Sequence, residues 1–123
     1  MTVTGMEEYQ KIALRTSPNP ELLSTDGRQR MLLLGSLGLC GEAGELAEII
    51  KKHVFHGHPL DPDTAIRLIK EMGDCLWYLN YLASLFNITL DDVASVNIAK
   101  LAARYPENAF STDRSQNRQA GDV

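Results

Sequence analysis

Two pairs of acids, Glu42/Glu45 and Glu71/Asp74, stand three residues apart within segments whose apolar residues recur with a helical period. At 100° per residue, each pair occupies about 60° of one helix face. If the two segments form an antiparallel hairpin turning near His58, residue 42 comes level with 74 and residue 45 with 71, because the opposed numbers add to the same total. Four carboxylates converging between packed helices repel one another and lose solvation. A bound cation is the simplest remedy, so the pattern restricts the chain to a helical hairpin built around a charged centre.

The remaining segments also read as helices. Thr4-Gly5-Met6-Glu7 fits a capping box that opens a first helix running to about Arg15. Ser17-Pro18-Asn19-Pro20 breaks the pattern, and Ser24-Thr25-Asp26 offers caps for a second helix over about 27–55. That helix keeps its period despite glycines at 35, 38, 41 and 44, each costing up to about 1 kcal/mol of helix propensity. Close helix packing or room for a ligand would offset them. His56-Gly57-His58-Pro59 is a turn, Asp61 caps a third helix with Pro62 at its first position, and the helix reaches about Phe86. Thr89 caps a fourth, with Asp91 and Asp92 in its first turn and Tyr105-Pro106 at its end. Residues 107–123 are polar and read as a mobile tail. With no repeat and no strand-period segment, the expectation is one all-α domain over 1–106, a four-helix-bundle-like fold.

Composition narrows the function. A net charge of −4 argues against a general nucleic-acid binder, and no apolar run approaches the ~20 residues of a membrane span. Residues 1–10 contain no apolar leader segment, so the expected location is the cytoplasm. Cys40 and Cys75 are the only cysteines, and both fall in helical patterns, where reduced and largely buried thiols are expected. Met31, Leu32, Leu33, Leu34, Leu37, Leu39, Leu46, Ile49 and Ile50 surround most of the second helix. A helix apolar nearly all round is buried on several sides. Four helices of this chain can hardly cover it, so a symmetric homo-oligomer, a dimer or a tetramer, is expected.

The neighbours of the acids define a site. Hairpin register sets Gly38 level with Tyr78 and Gly35 level with Tyr81, which predicts a slot for a flat ring, with Trp77 beside it. Lys52, Arg67 and Lys70 lie on the other side of the acids and suit anions. A second hairpin turning near Asn87 would bring Asn97, Lys100 and Arg104 level with Tyr78, Cys75 and Glu71. Hard oxygen ligands favour Mg²⁺, with Mn²⁺ as a substitute. Each feature also has a plainer reading. Acid pairs at this spacing commonly mark a solvated face, Trp77, Tyr78 and Tyr81 are ordinary core residues, and Glu48 four residues before Lys52 makes an ion pair. His53, His56 and His58 match no standard zinc spacing and read as turn histidines.

The run Gly38-Leu39-Cys40-Gly41-Glu42-Ala43-Gly44-Glu45-Leu46-Ala47-Glu48, followed by Glu71-Met72-Gly73-Asp74 and Asn97-Ile98-Ala99-Lys100-Leu101, resembles the MazG-like nucleotide pyrophosphohydrolases. These belong to the all-α NTP pyrophosphatase superfamily. The resemblance covers about 27–106. The signature, EExxE followed after a gap by ExxD, is matched by Glu42, Glu45, Glu71 and Asp74, while Gly41 stands where its first glutamate would be. The resemblance implies Mg²⁺-dependent cleavage of nucleoside triphosphates, dNTPs or non-standard NTPs, to monophosphate and pyrophosphate, a house-cleaning role in the nucleotide pool. It implies Glu42, Glu45, Glu71 and Asp74 as catalytic metal ligands. Tyr78 falls where such enzymes often place a tyrosine near the substrate. On the charge argument, Lys100 and Arg104, with Lys52 or Lys70, would stabilise the pyrophosphate leaving group, and Asn97 and the tyrosines would position sugar or base. Two rivals stay open: a non-catalytic helical oligomer that binds a partner, and a nucleotide sensor of the same fold.

Overall fold

In the computed structural model the described residues are 2–18, 27–107 and 109–118, and they form helices with no strand. The order is α1 (Met6–Ala13), a single tight turn of 3₁₀ helix (Leu14–Thr16), α2 (Gly27–His56), α3 (Pro62–Leu85), α4 (Leu90–Arg104) and α5 (Thr112–Gln116). The all-α expectation holds. The expected caps at 24–26 lie outside the described residues. Within 107–123, read from sequence as a mobile tail, Thr112–Gln116 is helical, with the Ser111 side chain accepting the Arg114 amide. No described helix is long and apolar enough to cross a membrane.

Local chemistry sets the helix ends. Asp61 accepts the Thr64 amide at 2.8 Å ahead of Pro62, and Thr89 and Asp92 make a reciprocal capping box. At the start of α1 the expected capping box does not form, because the cap residue is Gly5, whose missing side chain accepts no helix amide. Glu8, not Glu7, accepts the Thr4 amide (2.8 Å) and hydroxyl (2.7 Å), while Glu7 pairs with Lys11. After α3 the chain turns at Asn87 (φ 55°), with Ile88 donating to the Ala83 carbonyl and Asn87 to that of Ser84. That left-handed residue closes the helix and satisfies two of its last carbonyls. After α2, Gly57 (φ 70°) takes the same backbone region, and His53 Nδ1 donates to the His58 carbonyl at 2.7 Å.

The α2–α3 hairpin is the body of the molecule, and its register is the mirror one. Arg28 lies over the Phe86 ring at 5.6 Å near the open end. A Cβ at Gly35 would stand 2.5 Å from Leu82 Cδ2 and 3.2 Å from the Tyr81 ring, and one at Gly38 would clash with the Tyr78 ring. These two glycines are therefore filled by side chains of α3. That corrects the expected flat-ring slot: the levels are right, but the aromatic rings occupy the space themselves. Gly41 and Gly44 have nothing within 4 Å of an added Cβ and face open space.

Helix α1 is tied across the hairpin. The Trp77 indole N–H donates to the Ala13 carbonyl (3.1 Å) and the Thr16 hydroxyl (2.8 Å). Asn80, fully buried, donates to the Gln10 carbonyl at 3.4 Å, and the Gln10 side chain accepts the Leu90 amide at 3.0 Å. Helix α4 consequently packs on α1, and its contact with α2 and α3 is slight. The second hairpin expected from the sequence does not form within one chain, because the turn at Asn87 and the Gln10 bond carry α4 toward α1. Among the described residues the buried apolar side chains are Ile49, Tyr81, Ala83 and Leu90, with large apolar residues of α2, α3 and α4 left exposed. The cysteines are free, but Cys40 is exposed and Cys75 half-buried, so neither is deep in a core.

Candidate metal centre

Glu42, Glu45 and Glu71 converge so that one carboxylate oxygen of each lies within 4.8 Å of the others. Residues 42 and 45 share a face of α2 by their three-residue spacing, and the hairpin register sets Glu71 of α3 against them. Glu42 and Glu71 are half-buried and Glu45 is exposed. Partial burial, then the carboxylates of Asp74, Glu45 and Glu71, push Glu42 above the ordinary glutamate range. Asp74 thus acts on Glu42 electrostatically while standing outside the close trio. Among the described residues no basic side chain pairs with Glu42, Glu45 or Glu71. Three acids sharing such a space with no cation suit a hard divalent ion bound through oxygen. The residues present therefore fit a hard divalent cation.

Burial, then Glu42, Asp74 and Glu71, also push the Cys75 thiol upward, which keeps it protonated beside the acids. Burial and Asp74 together raise Tyr9 of α1. Tyr9 is the neighbour of the acids that the sequence does not announce. It lies outside the hairpin pattern, and only the tether of α1 through Trp77 and Asn80 carries it there.

The side chains expected to touch substrate fall into three groups. Lys52 and Arg67 line a groove of about 380 Å³ together with Gly41, Gly44, Glu45 and Glu71, with Glu48 and Ile49 completing its wall. Lys52 also pairs with Glu48 at 3.5 Å, and Lys51 pairs with the same carboxylate. Lys70 is exposed and lies outside this groove. Tyr78 packs on Gly38, and Trp77 stacks on Tyr81 (5.3 Å, 9° between planes) with its edge against Tyr78 (4.9 Å). The indole N–H is committed to α1. Asn97, Lys100 and Arg104 are carried on α4, which does not run along α3, so the levels expected for them are not realised within one chain.

Comparison with known proteins agrees with the geometry. Residues 33–109 match the family described as the MazG nucleotide pyrophosphohydrolase domain. The "Gene 37 protein" of Mycobacterium phage L5 is 36% identical over 75 residues, 56% of this chain and 61% of that protein. The chain thus spans about three-fifths of the length of the curated relative it matches. No solved structure matches the chain significantly.

Proposed function

The chain belongs to the MazG nucleotide pyrophosphohydrolase family, and from that premise we propose that it hydrolyses nucleoside triphosphates to the monophosphate and pyrophosphate. The observation that carries this reading is the convergence of Glu42, Glu45 and Glu71 within 4.8 Å. A divalent cation held there, Mg²⁺ or Mn²⁺, with Asp74 completing the acidic surround, would offset phosphate charge and polarise a water. The water oxygen attacks the α-phosphorus, the bond from that phosphorus to the α,β-bridging oxygen breaks, and pyrophosphate leaves with the electron pair. A carboxylate of the cluster accepts the water's proton. Lys52, which lines the groove beside the acids, and Lys70, exposed on α3, oppose the charge that builds on the leaving group. Tyr78, fixed on Gly38 and against Trp77, presents a rigid ring edge for the sugar or base. Deoxynucleotides and non-standard nucleotides are the proposed substrates, with sanitation of the nucleotide pool as the role.

A homodimer or homotetramer is part of the proposal. Leu37 (67% exposed), Ile69 (66%), Val96 (70%) and Ile98 (64%) stand open on α2, α3 and α4. Exposed apolar surface on this scale is characteristic of an interaction face. A second copy covering it would bring Asn97, Lys100 and Arg104 of one chain to the acids of another. Their proposed contacts with sugar, base and pyrophosphate are then made between chains.

The test is pyrophosphate release from a panel of dNTPs and NTPs with Mg²⁺ or Mn²⁺, alongside the metal-dependent rise in melting temperature expected by linkage. Glu45→Gln and Asp74→Asn should each reduce turnover by a factor of about 100 or more with helical content unchanged. Retained activity in both would sink the ligand assignment. A metal-dependent melting shift with no turnover on any substrate would favour a nucleotide sensor, and no shift with either ion a non-catalytic oligomer.

A further inference from the structure

Three histidines come together where α2 hands over to α3, and none of them has a part in the acidic centre. His53 and His56 stand in the last turn of α2, and Gly57 (φ 70°) reverses the chain behind them. The His58 amide then donates to the Lys52 carbonyl at 3.2 Å, and His53 Nδ1 donates to the His58 carbonyl at 2.7 Å. His58 is thus held through the peptide groups on both sides of its Cα. Its ring meets that of His56 edge to face, 6.4 Å between centres and 61° between planes. Both rings are exposed, and among the described residues no hydrogen bond or ion pair uses either of them.

We propose that His56 and His58 form a second metal site, which takes one borderline transition-metal ion of the Zn²⁺ class and clamps the turn between α2 and α3. Neutral imidazole offers a nitrogen lone pair suited to Zn²⁺, Ni²⁺ or Cu²⁺, whereas Mg²⁺ prefers the oxygens of the acids. A Zn–N bond is about 2.0–2.1 Å long and a ring nitrogen stands about 1.1 Å from its ring centre, so one ion spans centres up to about 6.4 Å apart. The observed spacing stands at that limit. Rotation of either exposed side chain brings the two nitrogens round to one side, and water fills the remaining positions. His53 is a positioning residue, because its Nδ1–H fixes the His58 backbone without binding the ion. The site departs from standard zinc spacings because a left-handed glycine builds it, not a helix face. Along α2, His56 lies about 16 Å from Glu45, so the two centres load independently. An ion here ties the last turn of α2 to the residue beyond Gly57 and opposes fraying of the hairpin at that end.

Calorimetric titration of the full-length chain with Zn²⁺, in millimolar Mg²⁺, tests this, and Glu45→Gln separates the two centres. One Zn²⁺ per chain should still bind in Glu45→Gln, with a Zn²⁺-dependent rise in melting temperature. In that background His56→Gln and His58→Gln should each abolish the binding and the rise. His53→Ala should weaken Zn²⁺ binding about tenfold, the usual scale for a partner outside the ligand set. His53→Asn, whose amide N–H takes the place of Nδ1–H, should restore it, which a ligand role for His53 would not allow. Far-ultraviolet circular dichroism checks that each variant is folded. No Zn²⁺ binding in Glu45→Gln, binding unchanged by either His56→Gln or His58→Gln, or one ion shared between two chains would each overturn the site. A His53→Asn variant as weak as His53→Ala would overturn the positioning role.

Discussion

Alanine substitutions at Gly38, Gly41 and Gly44 should move stability in opposite directions although all three lie in the same helix. Alanine is the better helix former by up to about 1 kcal/mol, so on propensity alone every substitution should help. At Gly41 and Gly44 nothing stands within 4 Å of the new methyl, and the gain should appear as about 0.5–1 kcal/mol each. At Gly38 the methyl would clash with the carbons of the Tyr78 ring. The ring must swing, losing its seat on the helix and its edge contact with Trp77 at 4.9 Å, a pairing worth about 0.5–1.5 kcal/mol. With overpacking at about 1–3 kcal/mol, the net effect is destabilising by roughly 1–2 kcal/mol after the propensity gain. The separation between Gly38→Ala and Gly41→Ala is then about 2 kcal/mol, or roughly 8 °C in melting temperature for a domain of this size. Thermal and urea melts at one fixed protein concentration measure it, since association would otherwise enter the comparison. Equal shifts of the same sign at positions 38 and 41 would refute the reasoning, and with it the α2–α3 register that aligns the acids.

Three further outcomes are expected. In the metal-free protein Glu42 is held above its usual value of 4.5, so the folded state keeps a proton that the unfolded chain has lost. That contribution is complete below the unfolded value and disappears as pH rises through the raised one; melting temperature should therefore fall across that interval, and less so in Glu42→Gln. Parallel pH profiles for the two proteins would count against a crowded carboxylate at this position. Trp77→Phe keeps an aromatic ring but removes the hydrogen bonds to Ala13 and Thr16, and should cost about 1–2 kcal/mol in urea denaturation with a loosened α1 in hydrogen exchange. Val96→Glu, at a residue 70% exposed in one chain, should dissociate the proposed oligomer in sedimentation while leaving the monomer helical; an unchanged sedimentation coefficient would count against an interface at Val96.

What the sequence made legible follows the range of the interactions involved. The caps at Asp61 and Thr89 are contacts across three residues and were readable from residue type alone. The hairpin register was readable because a short turn joins α2 to α3, leaving little freedom for the pairing to slip. The path of α4 was not, since it depends on Gln10, eighty residues before Leu90. Glycine opposite tyrosine was legible as a pairing, but reading it as empty space overlooked that the ring is itself the largest available filler. The open glycines are those rotated away from α3, a distinction that periodicity contains once the acids fix the inward face. Tyr9 had no such signal, because nothing local to α1 reveals which helix it will cross.

Gln10 has a consequence for the order in which the molecule is assembled. Its carbonyl receives Asn80 and its side chain receives Leu90, so both partners are made 70 and 80 residues after it. At about 5–20 residues per second, α1 waits about 3.5–14 seconds on the ribosome for Asn80 and about 4–16 seconds for Leu90. Since α3 ends at Leu85, α2 and α3 are complete before Leu90 is made and can close on each other through their short turn. The acidic hairpin is thus expected to fold as the first tertiary unit, with α1 added last as a clasp over finished work. Hydrogen exchange should show the same hierarchy in the mature protein, with α1 opening at lower free energy than the paired amides of α2 and α3.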